Sequence, residues 1–504
     1  MSRSLDSNAA LEIGERLMQA PSKNLVEAAF ARELKAQLGL AAAIGWVDLA
    51  HVLFLAQGGV IPNDSARELV AALLELQSAP VSFVTSAEYG DLYTNREAWL
   101  AERTSAADWL GVARARREAL TTAYHLTLCD QLLGLGEALI AAVKALSRLS
   151  LRHKDSLMPD YTYLQAAQPT TFGHYLQTFA WPMLRDLDRV AACYERADEC
   201  PAGVGSSNGS AINQDRRGLA DRLGFSRPVR HARDAMWQAD LAIEVCAVAT
   251  AAMVNLDRLA EDLMIFATRE FGYVQLADRH ARASKVMPQK RNPFSLSFVR
   301  ATANRLIGAQ VGVAAAGRTP SGQMDNRLFV YEAAPDALLS AAEAARLVAE
   351  CVDGLRFDEA RAHAALTDRS VCASDLAERV MLATGIAFRA AHGVVGKLVT
   401  KLERSGRALS SLTVSDLSDA LRAAGAPKAE ITQELLASAL DPAACVAART
   451  DVGGAAPDEV AGMAAELAAA ANERRHALAA ARERRKHALF HLHEEAVAFA
   501  KGER

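Results

Sequence analysis

Residues 240–272 read DLAIEVCAVATAAMVNLDRLAEDLMIFATREFG, and neither glycine nor proline occurs before the last position. Apolar residues nearly surround this predicted helix in its first half, and charged residues appear on one face only later. A helix that is apolar nearly all round is buried by other helices or by neighbouring subunits. Two further stretches, RREALTTAYHLTLCDQLLGLGEALIAAVKALSRLSLRHKD and FSLSFVRATANRLIGAQVGVAAA, have the same character. Three helices this long and apolar predict the centre of an elongated bundle.

The two ends of the chain differ from this centre. Both carry shorter amphipathic helices separated by turns such as QGGVIPND and VGGAAPDE, and no repeat or βαβ alternation is present. A chain of 504 residues is too long for one compact core. We therefore predict an all-α fold of three helical domains: residues 1–115, a central bundle over residues 116–360, and residues 361–504.

Composition and charge exclude several classes of protein. A formal net charge of -4 argues against a general nucleic-acid binder. The seven cysteines are scattered singly without a CxxC pair, which is typical of reduced thiols in a cytoplasmic protein. The N-terminal sequence MSRSLDSNAALEIGERL lacks the apolar segment of a signal peptide, and no apolar run approaches membrane-spanning length. We predict a soluble cytoplasmic protein without nucleic-acid or membrane partners.

The stretch RASKVMPQKRNPF, residues 282–294, combines positive charge, a hydroxyl and a helix start. Pro293 suits the first turn of the helix that follows. Unpaired backbone N–H groups at that helix start, together with Lys290 and Asn292, can bind a carboxylate or phosphate. The same positive field lowers the cost of ionising Ser284, which could then act as a base. A solvated loop before an ordinary proline-capped helix explains the residues equally simply.

Two other stretches present polar groups in short loops. MPDYTYLQAAQPTTF, residues 158–172, places hydroxyl and amide donors between two prolines. GVGSSNGSAINQDR, residues 203–216, is rich in glycine and serine, so its backbone amides can approach an anion closely. It is not a Walker A loop. Each stretch is also explained by a surface turn or a flexible connector.

Three arginines, Arg114, Arg116 and Arg117, stand at the head of a long predicted helix. Positive charge is unfavourable there because it opposes the helix macrodipole. Either a bound anion offsets this repulsion, or the arginines form a solvated patch paired with Glu118.

The HLHEE segment that starts at His491 lacks the HExxH pattern, and its histidines do not share a helix face. We predict no metal site and no cofactor.

These stretches occur in the order seen in one known family. ASKVMPQKRNP resembles the GSSxMPxKxN signature of the fumarase/aspartase superfamily. MPDYTYLQAAQPTTF resembles the MPGYTHLQxAQP segment of argininosuccinate lyases, DVGGAAPDEV resembles their GGTAP turn, and DLYTNREAWL is more loosely similar to EDVHxNIE. The resemblance implies three helical domains and a homotetramer, in which several subunits contribute to each active site. It also implies a small dicarboxylate substrate.

The resemblance implies a role for each matching residue. Ser284 corresponds to the family's catalytic base, which removes a proton from Cβ of the substrate. Lys290 and Asn292 match positions that hold a substrate carboxylate, and Thr162 and Gln165 match a second anion-binding segment. Expulsion of the substituent on the adjacent carbon gives fumarate. The positive site stabilises the enediolate that forms on the way.

Several positions depart from the family pattern. Lys285 replaces the second signature serine, Tyr163 replaces the histidine of THLQ, and Ser297 replaces the glutamate that partners this histidine. The family's RSRNDQ reads RARREA at residues 114–119. The AYNRDLQ segment, which holds the arginine part of argininosuccinate, is replaced by MDNRLFVYE at residues 324–332.

The fumarate half of the site is therefore kept and the leaving-group half is rebuilt. We predict a carbon–nitrogen lyase that acts on an N-substituted aspartate whose amine is not arginine. The extra cations indicate an aminopolycarboxylate, as in lyases of the ethylenediamine-disuccinate type. Argininosuccinate lyase, a nitrosuccinate-type lyase and a crystallin-like structural protein are the alternatives. The predicted substrate-binding residues are Lys290, Asn292, Thr162, Gln165, Arg116, Arg117, Tyr163, Ser207 and Asn208.

Overall fold

A computed structural model describes residues 19–78, 83–212, 215–426 and 431–503. The N-terminal sequence used above to argue against a signal peptide lies outside these residues. Helices dominate the structure and the strands are short, as the predicted all-α fold requires.

The first part of the chain forms a small helical unit. Its first three helices make one nearly continuous rod, joined by a π-helical turn (Val26–Phe30) and a 3₁₀ turn (Leu38–Leu40). The unit comprises α1 (Lys23–Leu25), α2 (Ala31–Gln37), α3 (Ala41–Gln57), α4 (Asn63–Ser78) and α5 (Leu92–Ala101).

The central part contains the three long apolar helices that the sequence predicts, each within a few residues of its expected limits. Its helices are α6 (Arg116–Arg152), α7 (Phe172–Ala197), α8 (Arg216–Arg222), α9 (Ala232–Trp237), α10 (Asp240–Phe266), α11 (Phe294–Ala316) and α12 (Val330–Asp353). The helix α10 ends six residues before Gly272, whose positive φ of 67° begins a new chain direction.

The last part of the chain contains one short-helix unit and one very long helix. The helices are α13 (Glu359–Ala364), α14 (Ala373–Thr384), α15 (Phe388–Arg404), α16 (Val414–Ala423), α17 (Gln433–Ala439), α18 (Pro442–Ala447) and α19 (Pro457–Ala500).

Among the described residues, two large apolar cores hold these parts together, and a third, small cluster contains Val204, Val229, Ala235 and Met236. The main core takes buried side chains from residues 34–362 and again from residues 467–496, whereas the second core lies within residues 366–445. The helix α19 therefore packs on the central bundle. A Cβ atom added at Gly136 would lie 2.5 Å from Leu478, so α6 and α19 approach closely at this glycine. The division into domains 1–115, 116–360 and 361–504 stays a prediction, and α19 joins the main core across its last boundary.

Four pairs of short strands occur between the described helices. Two antiparallel pairs build loops of interest: β1 (Leu157–Thr162) with β2 (Gln165–Thr171), and β6 (Arg282–Ala283) with β7 (Arg291–Asn292). The others are β3 (Glu199–Cys200) with β4 (Arg227–Pro228), which is parallel, and β5 (Val274–Gln275) with β8 (Arg356–Phe357), which is antiparallel.

Within the described residues, two helical segments are long and apolar enough to cross a membrane by length and composition alone, so the prediction that no such run exists is wrong. They are Lys23–Gln57 and Arg116–Arg152. Their most apolar windows are 61% and 67% buried within the protein. Core helices of water-soluble proteins have the same composition, so this finding is weak evidence for a membrane span.

One buried carboxylate joins the first helical unit to the start of α6. Asp48 on α3 accepts hydrogen bonds from Arg96 Nε at 3.0 Å and Nη2 at 2.7 Å, and from Arg114 Nη2 at 2.8 Å. The Asp48 side chain is fully buried, and the two arginine side chains are 4% and 1% exposed. Burying two guanidinium groups is costly unless a carboxylate compensates them, so this pairing fixes the segment just before α6 against the first helical unit.

Apolar side chains of the central bundle are exposed on the single chain. Val254 on α10 is 41% exposed, and Phe298, Ile307 and Val311 on α11 are 44%, 46% and 66% exposed. Exposed apolar surface on long bundle helices marks an interaction face.

Asp48→Asn should lower the free energy of unfolding by about 3–5 kcal/mol, because it leaves two buried guanidinium groups with one missing charge. Chemical denaturation measures this loss. Asp353→Asn is the matched control, since Asp353 binds Arg148 through both oxygens but both side chains are about half exposed. It should cost no more than about 1 kcal/mol. Equal losses for both variants would contradict the structural role of Asp48.

The protein should sediment as a tetramer at micromolar concentration, because the exposed faces of α10 and α11 need a partner. Val311→Asp should shift it to smaller species, since a carboxylate between subunits would be desolvated. Leu382→Asp, at a 78% exposed position on α14 outside the bundle, should leave the mass unchanged. A stable wild-type monomer would exclude this assembly.

Candidate active site

The predicted catalytic serine lies at the start of a loop closed by β6 and β7. Arg282 pairs with Asn292 and Ala283 with Arg291, so the loop runs from Ser284 to Lys290. The sequence predicts an open loop here, and the two strands were not foreseen. Ser284 Oγ accepts hydrogen bonds from the backbone N–H groups of Val286 at 3.3 Å and Met287 at 3.0 Å. Two donors on one hydroxyl oxygen favour its ionised form, which a base requires.

The positively charged side chains of this loop differ in whether they have a bonding partner within the protein. Arg291 is held by the Leu276 carbonyl at 3.0 Å and by the carboxylate of Asp278. Among the described residues no ion pair engages Lys285 or Lys290, and both are exposed. Asn292 Nδ2 donates to the Arg282 carbonyl at 3.0 Å, which keeps the amide beside the loop. The loop therefore presents two lysines that are available to an anion.

The segment with Thr162 and Gln165 is a β-hairpin. Its two-residue turn consists of Tyr163 and Leu164, with φ of 54° and 57°. Such turns favour asparagine and glycine, because other residues cost roughly 1–2 kcal/mol each in this conformation. The Tyr163 side chain is 99% exposed and Leu164 is 63% exposed. A strained turn that projects bulky side chains into solvent is typical of a functional contact.

A cavity of about 510 Å³ lies beneath this hairpin. Tyr161, Tyr163, Tyr175, Asp262 and Phe266 are among the residues that line it. The Tyr175 hydroxyl donates to the Asp262 carboxylate, and the Tyr161 and Tyr273 hydroxyls lie 2.5 Å apart. Aromatic side chains therefore form much of the cavity wall next to the hairpin.

The signature loop and the hairpin lie at the same end of the bundle. Tyr273, which contacts Tyr161 of the hairpin, directly precedes β5. Leu276, directly after β5, accepts the hydrogen bond from Arg291 of the signature loop. A short connection thus links the two predicted anion-binding segments.

Arg117 lies at the other end of the bundle and is almost fully buried. Its guanidinium carbon is 3.8 Å from the centre of the Trp237 ring, Nη2 donates to Asn326 Oδ1 at 2.9 Å, and Nε donates to the Met236 carbonyl at 3.3 Å. Burial lowers the pKa of Arg117 to about 10, and the nearby Arg327 contributes to this shift. The structure therefore joins Arg117 to residues 324–327, the segment that departs from the family pattern.

Arg116 is more accessible than Arg117. Its side chain is 47% exposed, and its Nε lies 3.6 Å from Asp91 Oδ2. Asp91 also caps α5 by accepting from Thr94 N at 2.9 Å. Arg114 is paired with Asp48, so neither the solvated patch nor the Glu118 pairing considered above describes it.

The glycine-rich loop lies at this same end. Glu118, on the first turn of α6, accepts a hydrogen bond from the Gly203 backbone N–H at 2.8 Å. Residues 201–205 are buried, whereas the following turn with Ser207 and Asn208 reaches the surface. Burial raises the pKa of Glu118 to about 7, and the Gly203 amide opposes this shift.

The predicted residues thus form two groups on one protomer. Arg116, Arg117, Ser207 and Asn208 lie at the start of α6, and the hairpin and signature loop lie near its end. A helix of 37 residues spans about 55 Å at 1.5 Å per residue. The structure does not bring the two groups together within one chain.

Sequence reasoning missed several residues that organise these groups. Asp48 and Trp237 carry no motif, and Glu118 was weighed only as a partner for the arginines. Their burial beside charged groups is a tertiary property. A cavity of about 710 Å³ lies between α3 and α19 at Trp46 and Phe490, and none of the predicted site residues lines it.

Comparisons with known proteins identify the family. A lyase family model matches residues 55–308, and the model of the argininosuccinate lyase C-terminal region matches residues 370–447. Argininosuccinate lyase of Methanothrix thermoacetophila is 34% identical over 429 residues, which cover 83% of this chain and 85% of that protein. The enzyme of Halorhodospira halophila is 33% identical and covers 82% of this chain and 87% of its own length.

Solved structures confirm the fold. EDDS lyase in complex with formate superposes with a TM-score of 0.86 and 24% identity, covering 96% of this chain and 97% of that one. A fumarate lyase from a Mesorhizobium species has a TM-score of 0.67 and 20% identity, covering 88% of this chain and 99% of that one. The predicted family and fold class are therefore confirmed. The chain belongs to the argininosuccinate lyase-like branch of the fumarase/aspartase superfamily, a branch of fumarate-releasing carbon–nitrogen lyases.

Proposed function

We propose that this protein catalyses the reversible β-elimination of fumarate from an N-substituted aspartate whose amine carries carboxylates. Ser284 removes the Cβ proton, the adjacent carboxylate takes up the negative charge as an enediolate, and the C–N bond then breaks. The electron pair of that bond leaves with the amine, which takes up a proton. The products are fumarate and the free amine.

The signature loop supports the first step. Two backbone N–H groups already point at Ser284 Oγ, so charge on this oxygen is stabilised before substrate arrives. Lys285 and Lys290 add positive charge in the same loop, beside the start of α11, where the helix dipole also favours an anion. In this proposal Lys290 and Asn292 hold the carboxylate that becomes the enediolate, and Thr162 and Gln165 hold the second one.

The observation that carries the choice of substrate is the cluster of guanidinium groups at the start of α6. Arg116, Arg117 and Arg327 lie at this end, and Arg117 and Arg327 are buried. Arginine as a leaving group would bring a further guanidinium cation to this cluster, and like charges repel. An amine that carries carboxylates would instead be attracted. Charge therefore favours an aminopolycarboxylate.

The altered acid pair agrees with a changed leaving group. The Ser297 hydroxyl donates to the carbonyl of Pro293, just before its own helix, at 3.3 Å, and it lacks the negative charge with which a glutamate would favour a protonated partner. Tyr163, at the histidine position, is exposed on the strained turn. We infer that Tyr163 contacts the substrate from the hairpin of one subunit.

A complete site requires more than one subunit in this proposal. The two groups of site residues lie about one α6 length apart, roughly 55 Å. Antiparallel packing of protomers along their exposed α10 and α11 faces would bring opposite ends together. We infer a homotetramer with shared active sites. A cytoplasmic location stays a prediction.

Argininosuccinate lyase is the second candidate, because relatives at 33–34% identity have this name. Loss of the histidine–glutamate pair slightly favours a non-catalytic, crystallin-like protein, but retention of Ser284, Lys290 and Asn292 argues against it. A nitrosuccinate-type lyase lacks a specific observation in its favour. The deciding experiment follows fumarate absorbance with argininosuccinate and with a panel of N-succinyl amines, including ethylenediamine disuccinate. The reverse reaction, with fumarate and a panel of amines and diamines, identifies the amine directly. Preference for argininosuccinate would overturn the proposed substrate.

Ser284→Ala should lower the rate of fumarate formation by orders of magnitude while leaving the fold and assembly intact, because the oxygen that accepts the proton is removed. Steady-state kinetics and sedimentation measure these two effects. Ser405→Ala is the control, since Ser405 only bonds the Leu402 carbonyl on the distant α15. Near-wild-type turnover of Ser284→Ala would exclude Ser284 as the base.

Arg116→Ala should raise KM for a polycarboxylate substrate roughly ten- to a hundredfold, since a lost charge-assisted contact costs about 1.5–3 kcal/mol. Arg103→Ala is the control. Arg103 lies in the first unit, where it stacks on Trp99, and its replacement should leave KM unchanged. The Kd for fumarate shows which half of the site Arg116 contacts: a raised Kd indicates the fumarate half, and an unchanged Kd indicates the leaving-group half. If neither ligand is affected, the arginine cluster does not bind substrate.

A further inference from the structure

We propose that Glu118 is a positioning residue, which fixes the loop of residues 203–209 and thereby sets where its exposed tip meets the substrate. The tip carries Ser207 and Asn208. This inference rests on the proposed function and on the prediction from the sequence that these two residues bind substrate. Glu118 acts through the loop and does not touch the substrate itself.

Glu118 has the burial and the contacts that such a role requires. It is 1% exposed, and its Oε1 accepts the Gly203 amide at 2.8 Å. Its Oε2 has no hydrogen-bond partner in the part of the chain that the structure describes, although the Gly205 amide lies near enough to affect the pKa of the group. Burying a carboxylate costs free energy unless hydrogen bonds to neighbouring groups compensate it. Here the neighbouring group is the backbone of the loop.

The loop itself is closed at its base. The Gly209 N–H donates to the Val204 carbonyl at 3.0 Å, and the Ala115 N–H donates to the Gly205 carbonyl at 3.4 Å. Gly203, Gly205 and Gly209 all have positive φ, between 68° and 90°. A Cβ atom at Gly205 would lie 3.0 Å from the Gly209 carbonyl oxygen. The turn is therefore compact, and a hold on its base determines the position of its tip.

Charged groups surround Glu118 on both sides. Arg114 precedes it on the chain, and Arg216 at the start of α8 faces it from beyond the loop. Arg216 also holds the loop base, since its Nε donates to the Ala202 carbonyl at 3.1 Å. The buried thiol of Cys200 lies nearby as well. Both guanidinium groups favour the ionised carboxylate, whereas burial opposes it.

The hold on the loop should strengthen as pH rises. Burial raises the pKa of Glu118 to about 7, so the carboxylate is mostly neutral at pH 6 and mostly charged at pH 8. A charged acceptor binds an amide about twice as strongly as a neutral one. The Gly203 amide should therefore exchange with deuterium about tenfold more slowly at pH 8 than at pH 6, after correction for intrinsic rates.

The test combines this exchange with fumarate binding in the full-length protein. Glu118→Gln keeps the size of the side chain but removes its charge and titration. We expect faster exchange over residues 203–209, no pH dependence of that exchange between pH 6 and 8, and a fumarate Kd raised about tenfold. In turnover, KM should rise more than kcat falls.

Glu97→Gln is the matched control. Burial raises the pKa of Glu97 to about 7 as well, and Glu97 also lies near Arg114, but it bonds Tyr93 rather than the loop. This variant should leave loop exchange and fumarate affinity unchanged. If Glu118→Gln does not fold, Gly205→Ala strains the same loop with Glu118 in place and should weaken fumarate binding in the same way.

Two results would overturn the inference. Loop exchange that is unchanged in Glu118→Gln would show that Glu118 does not hold the loop. Faster exchange with unchanged fumarate Kd and KM would show that the loop does not position substrate. Failure of the proposed function is seen separately, because the wild-type protein would then release no fumarate from any N-succinyl amine.

Discussion

Arg96 and Arg114 both donate hydrogen bonds to the carboxylate of Asp48, and this pairing positions the chain just before α6. It ties α3 and α5 to the segment where α6 begins, entirely out of contact with water. Both guanidinium groups pair with this one buried carboxylate, so removing it is costly. Arg114 is bound to Asp48 in this network. Arg116 and Arg117 belong to the first turn of α6, so the direction of that helix sets where their side chains lie.

From this starting point, successive residues of α6 take on different tasks. Arg116 faces partly outward beside Asp91, Arg117 stacks on Trp237, and Glu118 turns inward to the glycine-rich loop. Consecutive residues on a helix point about 100° apart, so three neighbours can serve three surroundings. One short segment therefore connects the N-terminal unit, the rebuilt leaving-group segment and the loop that carries Ser207 and Asn208.

The length of α6 imposes the second constraint. It separates this cationic end from the serine loop and the strained hairpin by about 55 Å. Each end carries only part of the predicted site. In the proposed assembly the exposed apolar faces of the bundle supply both the driving force for association and the juxtaposition of unlike ends. Catalysis and oligomerisation would then be coupled through the same helices.

The sequence by itself determined the helical class, the three long central helices and the family. These features depend on local periodicity and on contiguous motifs such as ASKVMPQKRNP, which a linear reading preserves. It also led to the prediction that Ser284, Lys290 and Asn292 belong to one site, because the signature is a single continuous stretch. It did not reveal the strands that close this loop, since pairs of only two residues have no period to detect.

Only the tertiary structure decided which charges face each other. The partner of Arg114 is Asp48, 66 positions away, and Arg117 meets Trp237 and Asn326 from still more distant segments. The packing of α19 on the main core, and the burial of two helices whose composition would suit a membrane, are likewise invisible in the sequence. Burial and pairing depend on contacts between remote residues, and composition is the same whether a helix is covered by protein or by lipid.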